Sequence, residues 1–143
     1  MVRQSSFGTC EVCDTRIAKS AMAAHLRKCL PREGAGPTGD ALLIRIRAAG
    51  TSVYWLDCVA RTDANLEHLD TLLRWTWLEC CGHLSDFMVD RRQRVGMSVS
   101  IKRALAMAGG RLGYEYDTAV ATCLRTSDSR RTRPRICNCV PSL

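Results

Sequence analysis

Four residues near the N-terminus have the types and the spacing of a metal site. Cys10, Cys13, His25 and Cys29 follow the pattern C-x2-C-x11-H-x3-C. Thiolate sulfur and imidazole nitrogen are the donors that zinc takes in tetrahedral structural sites. Because the protein would fill all four positions, the pattern predicts a structural zinc site with no open position for a substrate.

Two elements must position these donors. The two cysteines of the C-x2-C pair fit a tight turn, and His25 and Cys29 are four residues apart, which places them on one face of a helix. The unit resembles a Cys-Cys-His-Cys variant of the ββα zinc finger, with Ile17 and Met22 at the places of its apolar residues. Its interval between turn and helix is one residue shorter than the usual form. A unit of this size has too small an apolar core to fold alone, so we expect the metal to supply the folding free energy.

Cysteine usage and hydropathy limit the classes of protein. Nine cysteines is an odd number, and no apolar signal segment precedes the first pair, which argues against a disulfide framework. No apolar run approaches the length of a membrane span. We therefore expect a cytoplasmic protein with no membrane partner.

The net charge of +7 is unevenly distributed. Residues 1–39 carry six Lys/Arg against three Asp/Glu, residues 125–143 carry five against one, and the segment between them carries ten against ten. Basic ends around a neutral middle fit an electrostatic grip on nucleic acid phosphates, although they are also typical of merely solvated ends. The residues expected to contact phosphate are Arg16, Lys19, Arg27, Lys28, Arg130, Arg131, Arg133 and Arg135. Alanines occupy much of the finger helix, which argues against reading of base sequence by this unit.

Composition divides the chain into four segments. Residues 1–30 form the finger, 31–40 a linker rich in Pro and Gly, 41–124 the main domain, and 125–143 a basic tail without core-forming residues, which we expect to be disordered. Within the main domain the periodicities predict strands at 41–47, 53–60, 84–89, 112–116 and 120–124. They also predict a long helix at about 63–80, capped by Thr62-Asp63, and a short helix at 98–108 that ends at Gly109-Gly110. This order predicts an α+β fold with one sheet covered by helices.

The main domain resembles a known family over roughly residues 41–117. The shared elements are an apolar strand, a capped helix with leucines, a tryptophan near the helix end, His-Leu-x-x-Phe, and Tyr-x-Tyr-Asp; here they are Val53–Val59, Asp63–Leu73, Trp77, His83–Phe87 and Tyr114–Asp117. They resemble the plasmid pRiA4b ORF-3-like family. The resemblance implies a β-grasp-like layout and little about activity, and some members accompany plasmids and mobile elements.

The chain departs from that pattern after Asp117. The alternation of apolar residues ends at Arg125, so we expect a final strand to be missing or replaced and the sheet to have a poorly paired edge. Whether the C-terminal end is native or truncated stays open. Cys123, Cys137 and Cys139 are either free thiols or part of a second metal site.

No set of catalytic residues is evident. Cys80-Cys81-Gly82-His83 offers a thiol and a base, but the cysteines end an apolar helix, and we expect buried structural thiols. No glycine loop opens a helix, so we expect no nucleotide cofactor. The sequence therefore favours a non-catalytic zinc-binding accessory protein associated with nucleic acid, with a protein–protein interaction module as the alternative. A thiol-dependent enzyme is the third hypothesis.

Overall fold

The computed structural model describes residues 6–29, 41–61, 63–78, 82–90, 92–116 and 120–128. Several expectations lie outside these residues. They are the linker 31–40, the basic tail with Arg130, Arg131, Arg133 and Arg135, and the cysteines Cys80, Cys81, Cys137 and Cys139.

The N-terminal unit has the expected ββα order. Strand β1 (Phe7–Thr9) pairs antiparallel with β2 (Arg16–Ala18), and helix α1 (Lys19–Cys29) follows directly. The helix is rich in alanine, which has a high helix propensity. Met22 and Leu26, four residues apart on one face, are fully buried.

The main domain is a six-stranded antiparallel sheet. Its strands are β3 (Ala41–Ala48), β4 (Trp55–Arg61), β5 (Ser85–Met88), β6 (Arg94–Val95), β7 (Arg111–Tyr116) and β8 (Val120–Asp128). They lie in the order β4-β3-β8-β7-β5-β6. The last strand therefore lies beside the first strand of the opening hairpin, and the fold is α+β as predicted.

A final strand was expected to be missing or replaced; a strand is present after Asp117, so the expectation that it is missing, with a poorly paired edge, is wrong. β8 extends four residues beyond Leu124 and lies in the middle of the sheet, paired with β3 on one side and β7 on the other. The residues after Leu124 are polar, so they carry no apolar alternation. A central strand is nevertheless held by backbone hydrogen bonds to two neighbours, and strand formation depends on such pairing more than on intrinsic preference.

Helix α2 (Leu66–Leu73) continues into a π-helical turn (Arg74–Leu78), and helix α3 (Ile101–Met107) is shorter. The N-cap of α2 is Asn65 and not Thr62-Asp63, because the Asn65 side chain accepts from the backbone N–H of His68 while its own N–H donates to the His68 ring. This reciprocal capping box satisfies two of the free donors at the helix start. The end of α3 is as predicted, with positive φ angles of 61° and 82° at Gly109 and Gly110.

Both faces of the β3–β4 hairpin are covered. α2 and α3 lie on one face, where Tyr114 of β7 donates to Asp70 of α2 and where Cys58 and Ile101 line a common groove. The finger lies on the other face, against Trp55. Among the described residues, no helix is long and apolar enough to cross a membrane.

Candidate metal centre

Cys10 and Cys13 lie on a closed turn between β1 and β2. The Cys10 N–H donates to the Thr15 carbonyl at 3.0 Å, and the Asp14 N–H donates to the Cys10 carbonyl at 2.7 Å. Asp14 has a φ of 54°, in the left-handed region that aspartate tolerates better than most residues. This turn brings both thiols to the same site.

Helix α1 supplies the other two donors. His25 and Cys29 are one turn apart, next to the buried Met22 and Leu26 that anchor the helix to the core. Arg27 and Lys28 occupy the last turn, where positive charge stabilises the helix dipole. The packing of α1 therefore fixes the face that carries the donors.

The four donor atoms converge on one point. The three sulfurs and one imidazole nitrogen all lie within 4.8 Å of one another, and no disulfide joins the cysteines. Cys10 Sγ is 4.0 Å from Cys29 Sγ, and Cys13 Sγ is 3.4 Å from His25 Nε2. A tetrahedral ion with bonds of about 2.0 to 2.3 Å separates its ligands by about 3.5 to 3.8 Å. The predicted quartet could thus hold a metal ion, and it is the one such cluster found in the described part of the chain.

The thiols of the quartet differ in acidity. The Thr15 hydroxyl, 3.2 Å from Cys13 Sγ, and the Thr15 backbone lower the pKa of Cys13 to about 6. Burial, together with the neighbouring thiols of Cys13 and Cys10, raises the pKa of Cys29 to about 12. A cation at the centre would reverse the effect on Cys29, because a coordinating thiol is deprotonated by its metal.

The finger is packed against the sheet. A Cβ placed on Gly8 would lie 2.9 Å from Trp55 Cη2, so strand β1 and the indole are in direct contact. Trp55 is 1% exposed, and Cys10, Met22 and Leu26 belong to the same buried cluster as the residues of the sheet. The metal-ligand unit and the domain therefore share one hydrophobic core.

A buried ion pair lies at this contact. Arg45 on β3 donates to both oxygens of Asp57 on β4, with Nε 2.6 Å from Oδ1, and its Nη2 also donates to the backbone carbonyl of Lys19 at 2.7 Å. Asp57 is fully buried. Sequence analysis missed this link; the available signal was an arginine and a carboxylate, each within an apolar strand.

The residues expected to contact phosphate have different environments. Lys19 points to the sheet, with Nζ 2.7 Å from the Ser52 carbonyl and 5.9 Å from the centre of the Trp55 ring. Arg16 is exposed and stacks on Phe7 at 4.5 Å, Lys28 is exposed, and Arg27 is half-buried. Lys19 therefore contacts the main domain, whereas Arg16 and Lys28 are exposed.

A second polar cluster, which the sequence reading missed, joins α2 to the sheet. Asp70 Oδ1 accepts from Ser85 Oγ at 2.6 Å and from Tyr114 Oη at 2.7 Å, and Oδ2 accepts from Arg74 Nε at 2.8 Å. Arg74 also donates to the His83 carbonyl. The signal in the sequence was the Asp70/Arg74 pair at i,i+4 on an otherwise apolar helix.

Three further side chains of chemically relevant type have structural environments. Cys58 is buried. Asp86 pairs with Arg94 at 3.2 Å. Asp90 accepts from the backbone N–H groups of Arg92 and Gln93 and so closes the turn after β5.

No protein-family model, curated protein or solved structure matches this chain. The resemblance to the plasmid pRiA4b ORF-3-like family stays a prediction. What the protein does must be inferred from the geometry of its own residues.

Proposed function

We propose that this protein is a zinc-binding accessory protein in which the metal is structural. The convergence of Cys10, Cys13, His25 and Cys29 within 4.8 Å carries this proposal. Three thiolates and one imidazole in tetrahedral reach select zinc over oxygen-preferring cations. Four protein donors leave no coordination position for a substrate.

The shared core defines what the metal stabilises. Cys10 is fully buried and lies in the same cluster as Trp55, so the ligand turn is part of the interior of the main domain. Zinc bound here holds β1 and α1 in the conformation that covers Trp55. The metal thus stabilises the main domain as well as the finger.

Metal analysis with matched cysteine variants tests the proposal. The wild-type protein should contain one zinc per chain, and Cys13→Ser should lose it, since Cys13 is exposed and its replacement removes a donor without removing packing. The control Cys58→Ala changes a cysteine on β4 away from the quartet and should keep its zinc. Chelation of the wild type should shift tryptophan emission to longer wavelength as Trp55 meets water. Absence of bound metal from the wild type would overturn the proposal.

We also propose that the role is non-catalytic. One cluster of polar side chains outside the quartet is held together by hydrogen bonds among its own members, Asp70, Arg74, Ser85 and Tyr114. Its hydrogen-bonding groups are therefore used within the protein. Such a network is expected of a structural polar cluster. Thiol mapping tests the thiol-enzyme hypothesis, which requires Cys80 or Cys81 to react in the folded protein.

A protein-interaction role is the second candidate. Trp75 is 86% exposed and Leu84 is 88% exposed, and Arg74, beside Trp75, donates to the carbonyl of His83, beside Leu84. Both side chains thus belong to chain segments joined by this hydrogen bond, and exposed large apolar side chains that form a patch are typical of interaction sites. A Trp75→Ser, Leu84→Ser variant with unchanged Tm should lose its partner, whereas an undiminished set of bound proteins would count against this role.

A further inference from the structure

A row of basic positions crosses the sheet on the face that carries the finger. Register places Arg45 of β3 opposite Arg125 of β8, and Arg125 opposite Arg111 of β7. Residues that stand opposite one another in antiparallel strands belong to the same face. With strands about 4.8 Å apart, the row spans about 10 Å from β3 to β7.

Two more cations extend this row. Arg47 belongs to the same face of β3, two residues beyond Arg45. Lys19 of the finger borders both arginines, and burial together with their positive charges lowers its pKa. We call Lys19, Arg45, Arg47, Arg111 and the position of Arg125 the basic strip.

Acidic groups on this face leave the basic strip with excess positive charge. Asp57 forms an ion pair with Arg45, and Asp86 forms one with Arg94. Glu115 lies four residues along β7 from Arg111, about 13 Å away, and register places Asp128 of β8 opposite Leu43, two residues along β3 from Arg45. Within the described residues, no carboxylate forms an ion pair with Arg47 or Arg111.

We propose that the basic strip binds the phosphate backbone of duplex nucleic acid. Fixed cations spaced by strand geometry neutralise successive phosphates and release their counterions. Duplex is favoured over single strand because single-strand binders stack bases on exposed aromatic rings. Trp55, over whose ring Lys19 and Arg45 lie, is 1% exposed and offers no face for a stacked base, which leaves, among the described residues, Tyr54, 46% exposed, as a single ring beside it and no row of stacking rings.

The location differs from the one expected from the sequence, which assigned phosphate contact to the finger helix and the tail around a neutral middle. The middle segment has balanced charge in total, yet folding gathers Arg45, Arg47 and Arg111 on the face to which register also assigns Arg125, the first residue of the basic tail. The inference depends on the proposed function only through Lys19, the member of the basic strip that the metal-bound finger holds in place.

A salt titration of full-length, zinc-loaded protein with a labelled 20-base-pair duplex tests the inference. The double variant Arg47→Gln, Arg111→Gln should bind about five- to tenfold more weakly at low salt. The slope of log K against log salt should fall in magnitude by about 1.8, which is about 0.9 for each of two phosphate contacts. The matched control Lys102→Gln, Arg103→Gln removes the same charge from exposed positions of α3, behind the sheet, and should change affinity less than about twofold.

Three outcomes overturn the inference: no duplex binding by the wild type at low salt, equal losses in the two double variants, or tighter binding of a single strand than of the duplex. Zinc content and Tm are measured on the same samples. Full zinc occupancy without duplex binding rejects the basic strip and leaves the structural metal in place. Missing zinc rejects the proposed function, whichever duplex affinity is found.

Discussion

Arg45 and Asp57 face each other across the β3–β4 hairpin and join the sheet to the finger, because the guanidinium that binds the buried carboxylate also donates to the Lys19 carbonyl. Asp57 is completely buried, while the side chain of Arg45 is 23% exposed. Removing one partner of such a pair leaves an uncompensated charge near the core. The pair should therefore be more important for stability than its position beside a basic surface suggests.

Asp57→Asn should lower the free energy of unfolding by about 3 kcal/mol, at the lower end of the range for breaking a buried pair. Chemical denaturation of the zinc-loaded protein measures it. Asp63→Asn is the control, because its ion pair with Arg61 is exposed and should contribute little to the free energy of unfolding. Equal effects of the two substitutions would show that the Arg45 contact is not a stabilising element.

Gly8→Ala should destabilise the contact between finger and sheet. The new Cβ would lie 2.9 Å from Trp55 Cη2 and 3.1 Å from Cζ2, so the indole or strand β1 must shift. Overpacking of this kind costs about 1–3 kcal/mol. Gly96→Ala is the matched control, since nothing lies within 4 Å of its Cβ. Thermal unfolding with tryptophan emission measures both, and an unchanged Tm for Gly8→Ala would mean that the finger is not seated on Trp55.

Asn65→Ala should cost about 1 kcal/mol, the usual value for loss of an N-cap. The sequence favoured Thr62-Asp63 as the cap, so Asp63→Ala is the comparison. It removes an exposed ion pair and leaves the capping box of Asn65 and His68 intact. Helical circular dichroism and denaturation of both variants measure the difference. A larger loss of stability for Asp63→Ala than for Asn65→Ala would show that the helix is capped at Thr62-Asp63, as the sequence predicted.

Local pattern was sufficient for most of the fold. The alternation in Ala41–Arg47, the spacing of leucines in α2 and the glycine pair after α3 each depend on neighbours in sequence, and each element is present. The metal quartet was predictable for the same reason, because its spacing fits one turn and one helix face. These features need no knowledge of distant residues.

Features that depend on distant contacts could not be predicted from the sequence. β8 has polar residues after Leu124 and becomes a strand through its pairing with β3 and β7. The seat of the finger on Trp55 and the link from Arg45 to Lys19 join residues far apart in the chain. The alternation of β3 predicted one solvated face, but Leu43 on that face is only 5% exposed, and the finger lies on the same face against Trp55.

Asp70 should make stability depend on pH. Burial alone would raise the pKa of its carboxyl, but hydrogen bonds from Ser85, Tyr114 and Arg74 outweigh burial and lower it. A depressed pKa in the folded state means that the stabilisation is complete above the unfolded value of about 3.9 and is lost as pH falls through the folded value. Asp70→Asn should cost about 2 kcal/mol at pH 7, the size of a charged hydrogen bond, and clearly less at pH 3. Urea unfolding of wild type and variant at both pH values measures the difference, in which loss of metal at low pH affects both proteins alike. A cost that stays constant with pH would show that the carboxylate charge does not stabilise this cluster.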